Sequence, residues 1–143
     1  MIHYSYSLQE IETAAKMIVS EAHDEKIWIF QGEMGAGKTT LIKALANVFG
    51  IQDQVSSPTF GIVNHYENEA SQSFYHFDFY RIEDPMEALD IGIEEYFYSG
   101  NYCWLEWAEQ IARFLPDQFF LIRITSDSDE KRTLNLQHIN NAS

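Results

Sequence analysis

Positive charge is scarce in this sequence. Nine Lys and Arg stand against 22 Asp and Glu, a formal net charge of -13. Affinity for nucleic acid comes mostly from neutralising phosphates with Lys and Arg, so unaided binding of DNA or RNA is excluded as a primary role. Contact with RNA would need a partner that supplies the charge. Cysteine is nearly absent: Cys103 stands alone, so no disulfide closes within the chain, which suits a reducing compartment. No apolar run approaches the roughly 18 residues of a membrane span. The start "MIHYSYSLQE" has neither a basic n-region nor an apolar h-region, so it does not read as a secretory signal. There is no repeat, low-complexity tract or linker to split the chain. The expectation is one cytoplasmic domain over 1–143, with no membrane contact.

What is present is a core. The chain is 45% hydrophobic and 15% aromatic, far from a disordered composition. Residues 2–6 read as a short strand. Ser7 and Glu10 form a capping box that opens a helix over 8–22, where Leu8, Ile11, Ala15, Ile18, Val19 and Ala22 recur at helical spacing. "KIWIF" (26–30) is a continuous apolar run too short for a helix and reads as a buried strand. A helix over 38–48 follows, ended by Gly50. "SSPTFGIVNHYE" and "SFYHFDFYR", separated by "NEASQ", read as an antiparallel hairpin. Asp84-Pro85 opens a short helix that Gly92 interrupts. "YCWLEW", "FFLIRIT" and "RTLNLQHI" read as later strands, and "NNAS" as a frayed end.

The junction "IFQGEMGAGKTTL" carries the chemistry. Gly32, Gly35, Gly37, Lys38 and Thr39 fit G-x-x-x-x-G-K-[ST], with a strand before and a helix after. Four fixed positions should match by chance in a chain this long well under about 1% of the time. Glycines let backbone N–H groups wrap phosphates, and the following helix aims its N-terminal donors at the anion. Lys38 then reaches the β- and γ-phosphates, and the Thr39 hydroxyl is the expected Mg²⁺ ligand. Hydrolysis also needs a carboxylate near the metal, at the end of a neighbouring buried strand. Two positions qualify. Glu106 closes the apolar run "YCWLE", where a carboxylate is costly unless solvated or paired. Asp78 lies in "YHFDFYR". Thr59 is a candidate γ-phosphate sensor, although Ser-Pro-Thr is also ordinary turn chemistry. The aromatics at 74, 75, 77, 79 and 80 read as core packing and His76 as packed in the sheet. Cys103 reads as inert within a strand.

Four stretches, "GEMGAGKTT", "SPTF", "YHFDFYR" and "LEWAE", in this order and at about these separations, resemble the TsaE (formerly YjeE) family, small bacterial ATPases of tRNA threonylcarbamoyladenosine (t6A) synthesis. The resemblance covers nearly the whole chain; "GEM" replaces the commoner "GDL". It implies an α/β fold: a P-loop three-layer sandwich with a mixed parallel and antiparallel sheet. It implies that Gly35, Ala36, Gly37, Lys38, Thr39 and Thr40 bind ATP or ADP, and that Thr39 and Glu106 ligate Mg²⁺. By the same resemblance Asp78 belongs to the catalytic or metal shell, Thr59 is the switch-like threonine, and Arg132 and a contact near Leu8 reach the nucleotide. It also implies partners, TsaB and TsaD, with tRNA met only through that complex. Kinase, GTPase and non-hydrolysing adaptor readings compete. No Arg-rich lid appears for a kinase, no N-K-x-D guanine reader for a GTPase, and intact Lys38, Thr39 and Glu106 argue against an adaptor. With no evident arginine finger beside the loop, and Arg81 and Arg113 not placed by sequence, slow hydrolysis by the isolated chain is expected.

Overall fold

A computed structural model describes residues 2–58 and 61–141. Seven strands form one mixed sheet: β1 (Ile2–Ser7), β2 (Ile27–Gln31), β3 (Val63–Glu67), β4 (Ser73–Asp78), β5 (Tyr102–Glu106), β6 (Gln118–Ser126) and β7 (Lys131–Asn140). Their spatial order is β1-β7-β6-β2-β5-β4-β3. β6, β2, β5 and β4 are parallel neighbours. β3 at one flank, and β7 and β1 at the other, run antiparallel. The loop-bearing strand β2 therefore lies at the middle of the sheet.

Four α-helices, α1 (Ile11–Ala22), α2 (Lys38–Phe49), α3 (Met86–Asp90) and α4 (Ile93–Phe97), make the outer layers. Side chains alternate across the sheet, and two cores result. Trp28, Phe30, Phe74, Trp104 and Phe120 bury against Ala15 and Ile18 of α1 and Leu41, Ile42 and Leu45 of α2. Ile27, Ile29, Phe77, Cys103 and Leu105 bury against Ala88 of α3, Ile93 and Phe97 of α4, and Ile111. Cover on both faces explains why "IWIF" and "YCWL" show no polar alternation. The α/β three-layer sandwich with a mixed sheet is thus observed. Among the described residues no helix is long and apolar enough to cross a membrane.

Several element ends differ from expectation for local reasons. The first helix begins as a tight 3-10 turn over Leu8–Glu10. The Glu10 carboxylate accepts hydrogen bonds from the Ser7 N–H and hydroxyl, both at 2.9 Å. Those bonds hold the Glu10 carboxyl below the usual carboxylate range. α2 ends as expected at Gly50, whose φ of 78° lets the Ile51 N–H return to the Ala46 carbonyl at 2.9 Å. The strand expected from "SSPTFGIVNHYE" forms only from Val63; Gln52 and Gln54–Pro58 run without regular structure, with a bend at Asp53. "FYR" leaves β4 as a turn after Asp78. Gly92 separates α3 from α4. Asn141 is tied to the Asp117 carbonyl at 2.8 Å rather than frayed. Thr59 lies outside the described residues.

Candidate functional site

The parallel strands end together. Register sets Phe30 of β2 opposite Glu106 of β5, and Glu106 opposite Asp78 of β4. The turn after β2 (residues 32–37) and the start of α2 sit beside them. Between them opens a cleft of about 750 Å³, lined by Gly35, Gly37, Lys38, Thr39, Thr40, Ser57, Asp78, Arg81, Glu106, Trp107 and Arg132 among others. Its size suits a nucleotide-sized ligand. Three of the nine basic residues of the chain, Lys38, Arg81 and Arg132, line this one cleft. An acidic protein thus concentrates cations where an anion would enter.

The turn is built for close approach. A Cβ at Gly32 would lie 2.8 Å from the Ile124 carbonyl oxygen, so only glycine lets the turn pack against β6. Gly37 has φ of 104°, and a Cβ there would lie 3.2 Å from the Arg132 Nε. Arg132 reaches over from β7 and its Nε–H donates to the Ala36 carbonyl at 2.9 Å. Its Nη1 donates to the carbonyls of Ser128 (2.7 Å) and Lys131 (3.1 Å). Arg132, a solvated loop charge by sequence pattern alone, is a brace on the turn.

Lys38 begins α2 and is largely buried, with Nζ 3.8 Å from the centroid of the Trp107 ring. Burial lowers the pKa of its ammonium, and the nearby Glu106, Glu109 and Asp78 carboxylates partly offset that. Trp107 takes a left-handed conformation (φ 57°), which a bulky residue rarely adopts and which points to a constrained position. Its ring also meets Tyr80, with centroids 4.9 Å apart.

Glu106 is 3% exposed. Its Oε2 accepts from Ser57 Oγ at 3.2 Å and lies 2.7 Å from Nε2 of His76, which is fully buried. Ser57 Oγ is in turn 3.5 Å from the Thr39 hydroxyl. A single short chain of oxygens therefore links α2 to the end of β5. Asp78 sits beside it, its carboxyl raised above the usual range chiefly by burial, opposed first by the Tyr80 N–H that it accepts at 2.9 Å. Glu106 further raises it, and His76 and Lys38 lower it. Hard oxygen donors of this kind, one hydroxyl and one or two carboxylates, suit Mg²⁺.

The structure brings Gly35, Gly37, Lys38, Thr39, Thr40, Asp78, Glu106 and Arg132 to one cleft. Ala36 is buried and is not among the lining residues; its carbonyl accepts from Arg132. Leu8 is not among the lining residues; it starts the 3-10 turn, its N–H donating to the Glu130 carbonyl at 3.2 Å. Ser57, His76 and Trp107 were missed by sequence reasoning. His76 had a signal: two residues before Asp78 on a strand, it must share that face. Ser57 had only its place in "SSPT", and Trp107 only its adjacency to Glu106.

Comparison with known proteins adds relatives of the same outline. The profile of the family described as "Threonylcarbamoyl adenosine biosynthesis protein TsaE" matches residues 5–134. The tRNA threonylcarbamoyladenosine biosynthesis protein TsaE of Bacillus subtilis (strain 168) is 36% identical over 133 residues, 93% of this chain and 82% of that protein. The protein of the same name from Haemophilus influenzae (strain Rd) is 39% identical over 116 residues, 80% of this chain and 73% of that one. The crystal structure of Bacillus subtilis YdiB superimposes with a TM-score of 0.74 at 28% identity, covering 98% of this chain and 86% of that one.

Proposed function

Because the chain belongs to the TsaE family, we propose that it is an ATP-binding, Mg²⁺-dependent ATPase domain that serves t6A modification of tRNA together with TsaB and TsaD. The observation that carries the reading is the convergence of the glycine turn, Lys38, Thr39 and Glu106 on one cleft, with Thr39 linked through Ser57 to Glu106.

The backbone donors of residues 33–38 and the N-terminus of α2 would hold the β- and γ-phosphates. Lys38 leaves the Trp107 ring for those phosphates, exchanging a cation–π contact for a charge pair. Thr39 and Glu106 would hold Mg²⁺, which neutralises charge developing on the phosphate oxygens. Asp78, whose carboxyl burial raises above the usual range, lies beside Glu106 and would orient a water for in-line attack. Slow turnover by the isolated chain is expected: Arg132 already braces the turn and Arg113 lies against Met86 and Phe114, so Arg81 is the remaining arginine on the cleft. A net charge of -13 argues that tRNA is met through the partners, with this cytoplasmic subunit coupling energy to them.

The test is ATP turnover by the purified chain with Mg²⁺ or with EDTA, and with or without TsaB and TsaD. Slow, Mg²⁺-dependent hydrolysis that the partners accelerate is expected, and Glu106→Ala should stay folded while turnover nearly vanishes. Wild-type rates in that variant, or phosphate moved to a second small molecule, would overturn the reading.

A further inference from the structure

We propose that His76 is a positioning residue that fixes the Glu106 carboxylate, and that Tyr66 holds the His76 ring in place from the other side. The proposal rests on the reading of Glu106 as a metal-site carboxylate.

Three strands contribute. The register of β4 against β5 sets His76 beside Trp104, two residues from the Asp78–Glu106 pair and on the same face. Its ring is fully buried, yet both nitrogens have polar partners. Nε2 lies 2.7 Å from Glu106 Oε2 and Nδ1 lies 3.1 Å from the Tyr66 hydroxyl. Tyr66, on β3, is itself buried. Its hydroxyl also lies 2.9 Å from the Ser56 carbonyl and 3.3 Å from the Ser56 N–H. Ser57, the next residue, donates to the same Glu106 oxygen. The contacts close a ring: Tyr66, His76, Glu106, Ser57, and back through the backbone to Ser56 and Tyr66.

Proton accounting orders this ring. An ionised Glu106 can only accept, so Nε2 must carry the hydrogen that it donates to Oε2. On its other side the ring meets the Tyr66 hydroxyl at 3.1 Å, and that hydroxyl is anchored by donating to the Ser56 carbonyl at 2.9 Å. The Ser56 carbonyl also accepts from Asn64 Nδ2 at 3.0 Å, so the anchor of Tyr66 is itself held. The two hydrogen bonds that the described residues make to the Glu106 carboxylate both fall on Oε2. That directs Oε1 as the oxygen available to the cleft. A histidine buried only for packing would not need a carboxylate at 2.7 Å. Partners that orient a ligating group characteristically change metal affinity or activity about 10–100-fold when removed.

The direct readout is Mn²⁺ affinity by electron paramagnetic resonance in the presence of saturating ADP, with Mn²⁺ standing in for Mg²⁺. A second readout is the affinity for mant-ADP in EDTA. His76→Phe keeps the ring volume and removes both nitrogens; about 10–100-fold weaker Mn²⁺ binding is expected, with mant-ADP affinity in EDTA unchanged. His76→Gln, whose amide N–H can replace Nε2–H, should recover most of the loss, and Tyr66→Phe should show a several-fold loss. Wild-type Mn²⁺ affinity in His76→Phe, with Glu106→Gln impaired, would overturn the positioning role alone. Wild-type affinity in Glu106→Gln would overturn the metal-site reading, and the proposal with it. Nitrogen-15 NMR of the wild-type protein needs no variant to fold: a His76 ring with no proton on Nε2 would refute the arrangement.

Discussion

Arg132→Met separates two roles that one arginine could play at this cleft: a brace on the turn, or a charge on the ligand. Methionine keeps much of the apolar stem and removes the guanidinium. The bond that matters is Nε–H to the Ala36 carbonyl at 2.9 Å, made across the sheet from the far end of the chain. A hydrogen bond from a charged donor contributes about 1.5–3 kcal/mol net. The bonds to Ser128 and Lys131 are local and exposed, so water replaces them at little loss. The turn over residues 33–37 should therefore open about 10–100-fold more often, since about 1.4 kcal/mol is a factor of ten. Amide hydrogen exchange in the nucleotide-free protein reads this directly as faster exchange at residues 33–40. Affinity for mant-ATP should fall as far as the open turn becomes populated in the variant, because the ligand must then order it. Arg132→Lys should recover little, since a point charge does not reproduce the planar donor beside Gly37. Unchanged exchange in Arg132→Met, together with wild-type affinity in Arg132→Lys, would refute the brace and leave a charge acting on the phosphates.

Two further outcomes follow from neighbouring geometry. If phosphate draws Lys38 off the Trp107 ring, ATP should change the intrinsic tryptophan emission, because Trp28 and Trp104 are buried in the other core and Trp107 alone holds the cation; an equal signal from Trp107→Phe would count against the movement. Cys103 is buried, with its thiol pushed up to about 12 from an ordinary 9.0 by burial. The native protein should resist thiol reagents at pH 8 and react once unfolded. The raised pKa also carries a sign: the unfolded chain loses this proton first, so stability should fall above about pH 9, by about 1.4 kcal/mol per pH unit until the folded thiol ionises. Urea unfolding of Cys103→Ala should lack that added slope.

How much could be read beforehand depends on distance along the chain. The glycine turn is local: its strand, its five residues and its helix are contiguous, so spacing alone suffices. Glu106 was legible because a carboxylate closing "YCWL" contradicts its surroundings. The hairpin of β3 and β4 was legible from two aromatic runs and a polar turn, although Gln52 and Gln54–Pro58 stay irregular, with only a bend at Asp53, around Pro58, which has no N–H for a ladder. His76 was read as packed, and it is buried in the sheet; what no local pattern could show is that Glu106, thirty positions on, lies within hydrogen-bond reach. Arg132 sits in an acidic, polar stretch that looks solvated until β7 is laid next to β6, which carries the guanidinium to Ala36. Trp107's left-handed backbone has no sequence signal at all, since nothing about tryptophan favours it.

The outermost strand pair has a consequence for synthesis. β1 has one neighbour in the sheet, β7, with Ile2 set against Leu136 and Tyr6 against Arg132. β1 must wait for β7. On a ribosome the nucleotide motif is complete by residue 40, yet the brace on its turn arrives some ninety residues later, on β7. Pairing at such separation makes folding slow and late. During that interval β1 is an unpaired edge and the chain depends on whatever covers it. A fragment that stops before Arg132 would display the whole motif and still lack the brace on its turn. If the turn holds a nucleotide as proposed, the same topology defers tight binding until β7 is in place.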